Sequence, residues 1–171
     1  MAFPVPIGER AWFALTVLPR HERAIARMLA TRAVEYFVAW HPARRRWSDR
    51  LKVIEENLLN GYVFARFGYE HRLKVLSIPG VMSIVSVGRC PAVIPDAEIS
   101  ALRLALASGL PMGAWPYIKV GQRVRIEEGA LAGLEGTLAR DPGGWRVVIT
   151  VEMLQRSLAV EVDREILRPA A

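Results

Sequence analysis

The sequence predicts an α+β chain that begins with a split βαβ sandwich, in which helices cover one face of a sheet, and ends with a small antiparallel β-barrel. Three observations predict this class. Aromatic and β-branched runs alternate with helical periodicity in the first hundred or so residues, glycine and proline cluster at 109–116, and the remainder consists of short apolar runs between turn residues. With 171 residues, of which 52% are hydrophobic, the chain can form a domain of roughly 100 residues plus a small module.

The elements of the first half follow the order βαββαβ. The apolar run before Pro19 predicts the first strand, and the spacing of Ile25, Met28 and Leu29 predicts an amphipathic helix of three to four turns. Asp96 is an N-cap candidate for a last helix. This order favours a split βαβ, ferredoxin-like sandwich. Strands are predicted at 11–17, 34–40, 58–67 and 81–87, a short helix at 70–77, and an exposed basic loop at 44–52.

The last third of the chain has a different pattern. Short β-rich runs at 120–126, 134–139, 145–153 and 158–162 are separated by glycine-containing turns. Roughly 55 residues of short strands can close only a small barrel. We therefore predict a first domain at 1–108, a linker at 109–117 and a barrel at 118–171.

The positive charge is concentrated in the first part. Residues 1–113 contain 15 Lys+Arg and 9 Asp+Glu, a net charge of +6, whereas residues 114–171 contain 8 of each. A basic region favours contact with nucleic acid or an acidic surface, and a neutral module favours contact with protein.

Cysteine content and hydropathy indicate the cellular compartment in which the protein is expected. The single cysteine, Cys90, has no cysteine partner for a disulfide or a zinc site and is expected to be a small packed residue. No apolar run approaches the roughly 20 residues that cross a bilayer, and residues 1–8 do not resemble a secretory signal. We expect a cytoplasmic protein without membrane contact.

Short motifs along nearly the whole chain resemble one family. The motifs are, in order, Trp12-Phe13-Ala14-Leu15, Pro19-Arg20-His21-Glu22, Trp47-Ser48-Asp49-Arg50, Asn60-Gly61-Tyr62-Val63-Phe64 and Pro79-Gly80-Val81. A further segment, Pro91-Ala92-Val93-Ile94-Pro95-Asp96, precedes the last helix of the first half. In this order the motifs resemble the N-terminal domain of the NusG family of transcription factors.

The second half resembles the KOW module, an SH3-like barrel. The glycines of its motif allow sharp turns, and the alternating Val124 and Ile126 fill a barrel core. Because ribosomal proteins also use this module, its position after the N-terminal motifs is what makes the resemblance specific. The motif is Gly121-Gln122-Arg123-Val124-Arg125-Ile126 followed by Gly129, Gly133, Leu134, Glu135 and Gly136.

The resemblance implies a monomeric transcription elongation and antitermination factor without enzymatic activity, cofactor or metal. Its N-terminal domain is expected to bind the clamp-helix region of the large catalytic subunit of RNA polymerase, bridge the DNA cleft, and suppress pausing or termination. The KOW domain is expected to recruit a partner protein, either Rho or the ribosomal protein NusE.

Six residues are candidate polymerase contacts by resemblance. Four match positions that line the apolar docking depression of the specialised relative RfaH, namely Tyr62, Phe64, Val87 and Ile99, and His71 matches the first residue of the RfaH element that touches the opposite side of the cleft. A core role is the alternative for Val87 and Ile99, and a half-exposed phenol makes Tyr62 the strongest candidate. Leu59-Asn60 replaces the Phe-Pro pair common in NusG, and Arg72-Leu73 replaces the threonines of the RfaH His-Thr-Thr element. The candidates are Leu59, Tyr62, Phe64, Val87, Ile99 and His71.

Basic residues form the candidate nucleic-acid contact. By resemblance, those at the start of the first helix lie near the displaced non-template DNA strand, and Trp47 is a candidate stacking ring beside the second group. A solvated charged surface is the alternative. The candidates are Arg20, His21, Arg23, Arg44, Arg45 and Arg46.

The KOW resemblance places the partner contact at Met153, Leu154 and Arg156. NusG proteins usually have an aromatic residue and a glycine at the positions of Leu154 and Gln155. RfaH stores this domain as a helical hairpin, but Pro142, Gly143 and Gly144 are unfavourable in helices, so a barrel is expected here.

Two alternatives remain at the level of sequence. One is an RNA-binding or ribosome-associated KOW protein, which would place the positive charge on the KOW module. The other is the housekeeping NusG itself rather than a specialised paralog, and the departures at Leu59-Asn60 and Leu154-Gln155 favour the paralog. An enzyme is disfavoured because the sequence has no phosphate-binding loop, zinc-ligand cluster or nucleophile beside a base.

Overall fold

The residues that the structure describes form antiparallel sheets and three α-helices. The chain divides into two compact units, one comprising Met1–Val38 with Leu59–Asp96 and the other comprising Ala39–Leu58 with Ala97–Ala171. No helix in the described part of the chain is long and apolar enough to span a bilayer. The computed structural model describes residues 4–47, 50–115, 121–141, 144–151, 154–163 and 166–170.

The strands and helices follow one another along the chain with short connections. A 3-10 turn, Tyr69–His71, precedes the second helix. The elements are β1 (Arg10–Val17), α1 (Glu22–Thr31), β2 (Glu35–Phe37), β3 (Trp40–Trp47), β4 (Arg50–Asn57), β5 (Tyr62–Gly68), α2 (Arg72–Leu76), β6 (Val81–Ile84), β7 (Ser86–Val87), β8 (Cys90–Pro91), β9 (Val93–Ile94), α3 (Asp96–Ala107), β10 (Met112–Trp115), β11 (Arg123–Ile126), β12 (Glu135–Asp141), β13 (Gly144–Val151), β14 (Arg156–Glu161) and β15 (Leu167–Pro169).

The first unit is built on the sheet β2-β5-β1-β6, in which β9 also pairs with β1. β5 lies between β1 and β2 and is antiparallel to both. Helix α1 packs against β2 and β5 and buries Ile25 and Leu29, because these residues share one side of the helix. The elements of this unit follow the order β1-α1-β2-β5-α2-β6, with the β3–β4 hairpin inserted between β2 and β5. The name ferredoxin-like for this arrangement remains a prediction.

The core of this unit surrounds β1. Its residues Phe13 and Leu15 are completely buried, and the ring of Phe13 lies 4.9 Å from that of Phe67 between centroids. On the neighbouring strands, the rings of Phe37 and Phe64 lie 5.8 Å apart. The register places Phe13 opposite Ala65 and Phe64 opposite Ala14, so the two ring pairs pack on opposite faces of the sheet.

The segment predicted as an exposed loop at 44–52 has exposed cations, but the loop assignment is wrong, because residues 44–47 and 50–52 belong to two strands. β3 and β4 pair over eight residues each, from Trp40 opposite Asn57 to Trp47 opposite Arg50. The charged residues of this segment obscure the β-favouring Leu51, Val53 and Ile54 on the second strand. The predicted strand at 34–40 is correspondingly reduced to β2.

Two further expectations for the first unit are corrected. The predicted strand at 81–87 is divided into β6 and β7, since Val85 donates its backbone hydrogen bond to Ala14 between them. Cys90 was expected to be packed, but it is exposed on β8, opposite Val87. A two-residue hairpin offers too little neighbouring chain to cover this side chain.

The second unit contains the antiparallel sheet β10-β14-β13-β12-β11-β15. Val124 and Ile126 are buried while Arg123 and Arg125 are exposed, as the alternation along β11 predicts. Strand β10 lies within the predicted linker at 109–117 and pairs with β14, whereas Pro116 and Tyr117 lie outside the described residues. The domain division and the closure of the sheet into a barrel stay predictions.

Two motif glycines of this sheet are required by close packing. A Cβ atom on Gly136 would lie 2.6 Å from the carbonyl oxygen of Val148, and one on Gly121 would lie 2.8 Å from that of Leu138. Gly129 and Gly133 instead occupy turns at φ of +85° and +88°. Sequence reasoning assigned the glycines to turns, and the structure adds the close approach of two strands.

The buried position of Phe64 makes it a stability determinant. We expect Phe64→Ala to lower the free energy of unfolding by about 3 to 5 kcal/mol, because it removes a fully buried ring and leaves a cavity. Urea unfolding measures this change. The control is Ile7→Ala at a side chain that is 73% exposed, which should change stability by no more than about 0.5 kcal/mol. Equal stabilities of the two variants would contradict the packing described here.

Candidate functional site

The strongest candidate residue, Tyr62, begins β5 directly after a turn that a buried carboxylate holds in place. Gly61 adopts φ of +83° in this turn, and its N–H donates to Oε1 of Glu22 over 3.1 Å. Glu22 is the first residue of α1 and is only 4% exposed. The Tyr62 side chain is half-buried. Helix α1 therefore fixes the backbone from which the phenol projects.

The six candidate polymerase contacts divide by exposure. Leu59, Phe64 and Ile99 are buried, and Ile99 lies on α3 in the second unit. Tyr62 is half-buried, while Val87 is 61% exposed on β7 and His71 is exposed at the end of the 3-10 turn. A partner can reach Tyr62, Val87 and His71 in this structure, and the other three are covered.

His71 is presented by a packed turn. Its Nε2 lies 3.7 Å from Oε1 of Glu70, which also accepts the N–H of Gly8 over 3.1 Å. The adjacent Arg72 guanidinium stacks 5.0 Å from the centroid of the buried Tyr69 ring. Among the described residues, no group of three His, Cys, Asp or Glu side chains could hold a metal ion.

Arg20 and His21 lie in the turn that follows β1. Arg20 adopts the left-handed conformation at φ of +67°, and Leu18 donates its N–H to the carbonyl of Gly80 over 2.8 Å. A Cβ atom on Gly80 would lie 3.2 Å from the His21 side chain. The two motifs Pro19–His21 and Pro79-Gly80 thus pack together, and Arg20, His21 and Arg23 all stay exposed.

The second basic group lies on the β3–β4 hairpin, in the second unit. Arg44, Arg45 and Arg46 are exposed, and the Arg45 Nε donates to Oε1 of Glu56 over 2.7 Å. The side chain of Trp47, the candidate stacking ring, lies outside the described residues. The exposed Leu51 and Val53 on β4 were not singled out from the sequence, because their alternation with charged residues resembled a loop.

The candidate KOW contact is only partly available. Met153 lies outside the described residues, Leu154 is 7% exposed, and Arg156 is exposed at the start of β14. Between them, Gln155 is exposed and adopts φ of +48°, a conformation that glycine tolerates best. The sequence comparison showed that NusG proteins usually have glycine at this position, but it did not predict the left-handed conformation of Gln155.

Arginines of the second unit's sheet are paired with carboxylates. Arg125 Nε donates to Oε1 of Glu135 over 2.9 Å, and Arg123 Nη2 lies 3.3 Å from Oε2 of the same residue. The hydrogen bond from Arg125 and its charge hold the pKa of the Glu135 carboxyl below its ordinary value, with a further contribution from the charge of Arg123. Arg168 lies 3.4 Å from Glu127. These cations are therefore partly neutralised within the sheet.

Comparison with known proteins gives consistent results. The family model described as "Transcription termination factor nusG" matches residues 10–103. The transcription termination/antitermination protein NusG of Lactococcus lactis subsp. lactis (strain IL1403) is 27% identical, over 91% of this chain and 90% of that protein. The solved structure "Domain interaction in Thermotoga maritima NusG" superposes with a TM-score of 0.52 at 22% identity, covering 95% of this chain and 98% of that one. The structural match supports the fold.

The Glu22 carboxylate should stabilise the turn before Tyr62. We expect Glu22→Ala to reduce the free energy of unfolding by about 1 to 3 kcal/mol, because it leaves the Gly61 N–H without its acceptor. Glu22→Gln keeps an acceptor oxygen and should lose less. Amide hydrogen exchange at Gly61 provides the local measurement, and unchanged protection in Glu22→Ala would show that the bond does not hold the turn.

The conformation of Gln155 predicts a stabilising substitution. Gln155→Gly should raise the free energy of unfolding by about 1 kcal/mol, because glycine adopts the left-handed conformation without a clash of its Cβ atom. Arg156→Gly, one residue later in extended β14, should instead lower it by about 0.5 to 1 kcal/mol. Thermal unfolding of both variants measures the difference, and destabilisation by both would argue against the strain.

Proposed function

The chain belongs to the NusG family of transcription termination and antitermination factors, and from this premise we propose that it binds RNA polymerase across the DNA cleft and suppresses pausing or termination. The family match over residues 10–103 carries this proposal. That range contains Tyr62, Val87 and His71, the three polymerase candidates with exposed atoms.

The proposed polymerase contact is a set of exposed side chains on rigidly held backbone. Tyr62 offers a half-buried aromatic ring, and tyrosine is enriched among the residues that dominate binding energy at interfaces. Val87 adds exposed apolar surface, and His71 is proposed to contact the opposite side of the cleft. Leu59 and Phe64 support this surface from the core, and Ile99 is left out of it because its side chain is only 1% exposed.

The proposed mechanism is a difference in binding free energy. A factor that binds both the clamp-helix region and the opposite side of the DNA cleft can keep both contacts only while the clamp is closed. Its binding therefore disfavours the open clamp. Pausing is then suppressed because the factor binds the active polymerase more tightly than the paused one. This function makes and breaks no covalent bond, and it needs no catalytic residue or cofactor.

Arg20, His21 and Arg23 are the proposed contacts to the displaced non-template DNA strand. All three are exposed, and the packing of Pro19–His21 against Pro79-Gly80 supports a defined position for the turn. Guanidinium groups bind phosphates through charge and release counterions when they do so. We also assign Arg44, Arg45 and Arg46 to nucleic-acid contact.

The second unit is proposed to be a KOW domain that recruits a partner protein, Rho or NusE. The exposed Gln155 and Arg156 are the described residues best placed for this contact, since Leu154 is buried. The altered pair Leu154-Gln155, together with Leu59-Asn60, supports a specialised paralog over the housekeeping factor. The pairing of Arg123 and Arg125 with Glu135 argues against an RNA-binding or ribosome-associated role, because their charge is already partly satisfied.

Binding of the full chain to purified core RNA polymerase tests the proposed function. We expect Tyr62→Ala and Val87→Ser each to weaken binding by about tenfold or more, the loss typical of a central interface residue. Phe64→Ala is unsuitable because it removes a fully buried ring and destabilises the fold, so a loss of binding would not report on a direct contact. Binding can be measured by pull-down and by titration with labelled protein.

The matched control is Ile7→Ser, which also removes an exposed apolar side chain from the first unit. It should bind the polymerase as the unmodified chain does. Absence of polymerase binding by the folded chain would refute the proposed function. Binding that survives both Tyr62→Ala and Val87→Ser would move the contact to another surface.

A further inference from the structure

The solvent-facing side of helix α1 carries cations and small side chains. Ile25 and Leu29 are completely buried, and Arg27 lies two residues from each, which places it about 200° around the helix from both. Arg27 is therefore on the side that faces away from the sheet. Arg23, one turn earlier, is exposed as well. The other exposed residues of the helix are the small Ala24, Ala30 and Thr31.

This surface has no exposed acidic neighbour along the chain. Between residues 18 and 34 the sequence contains one carboxylate, Glu22, which is buried and accepts the N–H of Gly61. In the described part of the chain, no carboxylate lies within ion-pair distance of Arg20 or Arg27. Like charges four residues apart on a helix repel each other, and Arg23 and Arg27 have this spacing. An anionic ligand on this side would relieve the repulsion.

The cations at the two ends of the helix have different roles. Arg20 is exposed in the turn before α1, where it adopts φ of +67°. At the other end, the Arg32 guanidinium donates to Ser77 Oγ over 2.7 Å and to the carbonyl oxygen of Lys74. Arg32 is thereby used to join the end of α1 to α2, whereas Arg20 and Arg27 remain available to a ligand.

The arrangement of these cations favours a single strand of DNA over a duplex. A helix that enters the major groove of a duplex has a phosphate wall on each side, and it needs cations on both flanks to reach both walls. One flank of Arg27 carries the uncharged Ala24 and Thr31, so α1 offers a single line of charge. Unpaired bases can stack on guanidinium planes, and the exposed imidazole of His21 can also stack, so this face needs no larger ring.

We propose that a single strand of DNA runs along the exposed face of α1, and that Arg27 binds a phosphate about one helical turn beyond the Arg23 contact. Arg20, in the turn, and Arg23, at the start of the helix, bind the phosphates before it. The small Ala24 and Ala30 allow the sugar-phosphate backbone to approach the helix. This inference extends the contact proposed above to the displaced non-template strand, rests on that part of the proposed function, and identifies Arg27 as a further binding residue.

Arg27→Gln in the full chain tests this assignment, because glutamine keeps a polar side chain and a similar helix propensity but removes the charge. Fluorescence anisotropy measures the binding of each variant to a short single DNA strand of mixed sequence over a range of salt concentrations. For single strands, each phosphate contact contributes about 0.7 to the salt dependence of log K. We expect Arg27→Gln to lower the slope by this amount and to weaken binding about fivefold at roughly 0.1 M salt. Arg23→Gln/Arg27→Gln should lower the slope by about 1.4.

The matched control is Arg89→Gln, the same substitution at an exposed arginine in the turn between β7 and β8 of the first unit. It should leave the slope and the affinity nearly unchanged. Circular dichroism and thermal unfolding verify that each variant is folded. Equal effects of Arg89→Gln and Arg27→Gln would overturn the assignment, because binding would then respond to net charge alone. Tighter binding of a DNA duplex, or of single-stranded RNA with the same sequence, would overturn the assignment to a single strand of DNA.

Arg20→Gln separates this inference from the contact on which it rests. A loss in Arg20→Gln without a loss in Arg27→Gln would refute the extension along the helix and leave the proposed contact at the turn. Losses in both variants support the inference, and absence of DNA binding by the unmodified chain refutes the inference and the DNA contact together. The measurement contains no polymerase, so failure of the chain to bind polymerase would refute that function and leave the assignment of Arg27 standing.

Discussion

The pairing of β1 on both of its sides is the constraint on which the first unit depends. Its end brings two candidate surfaces together in space, since Thr16 lies opposite Tyr62 of β5 and opposite Ser83 of β6. The N–H of Leu18 then donates to the carbonyl oxygen of Gly80, the residue before β6. The strand buries apolar side chains on both faces, so a shift in its register would expose that core. The turn with Arg20 and the start of β5 are therefore positioned by one strand.

A buried carboxylate reinforces this arrangement. Burying a charged group is costly unless hydrogen bonds compensate for its lost hydration. Glu22 meets that requirement by accepting the Gly61 N–H, and its position in the first turn of α1 places negative charge where the helix dipole favours it. The bond joins the helix start to the turn before Tyr62. When the backbone that carries an interface side chain is already held in place, less conformational entropy is lost on binding, and the affinity is higher.

Positive charge has two different environments in this protein. In the sheet of the second unit, Arg123, Arg125 and Arg168 lie beside carboxylates, so their charges form ion pairs within that unit. On the β3–β4 hairpin, Arg44, Arg46 and Lys52 are exposed, with no such neighbour in the described structure. Composition reports only the sum of these charges. Their pairing decides which of them can attract an anionic ligand.

Strand β1, helix α1, the last helix from Asp96 and the alternating core of β11 could be predicted from the sequence, because local periodicity and turn residues determine them. The family could be predicted as well, since its motifs are short and contiguous. Only the tertiary structure decided the burial of Phe64 and Leu154, the exposure of Cys90 and the pairing of β3 with β4. Burial depends on which distant segments cover a residue, and charged side chains hide strand periodicity when the pairing partner is unknown.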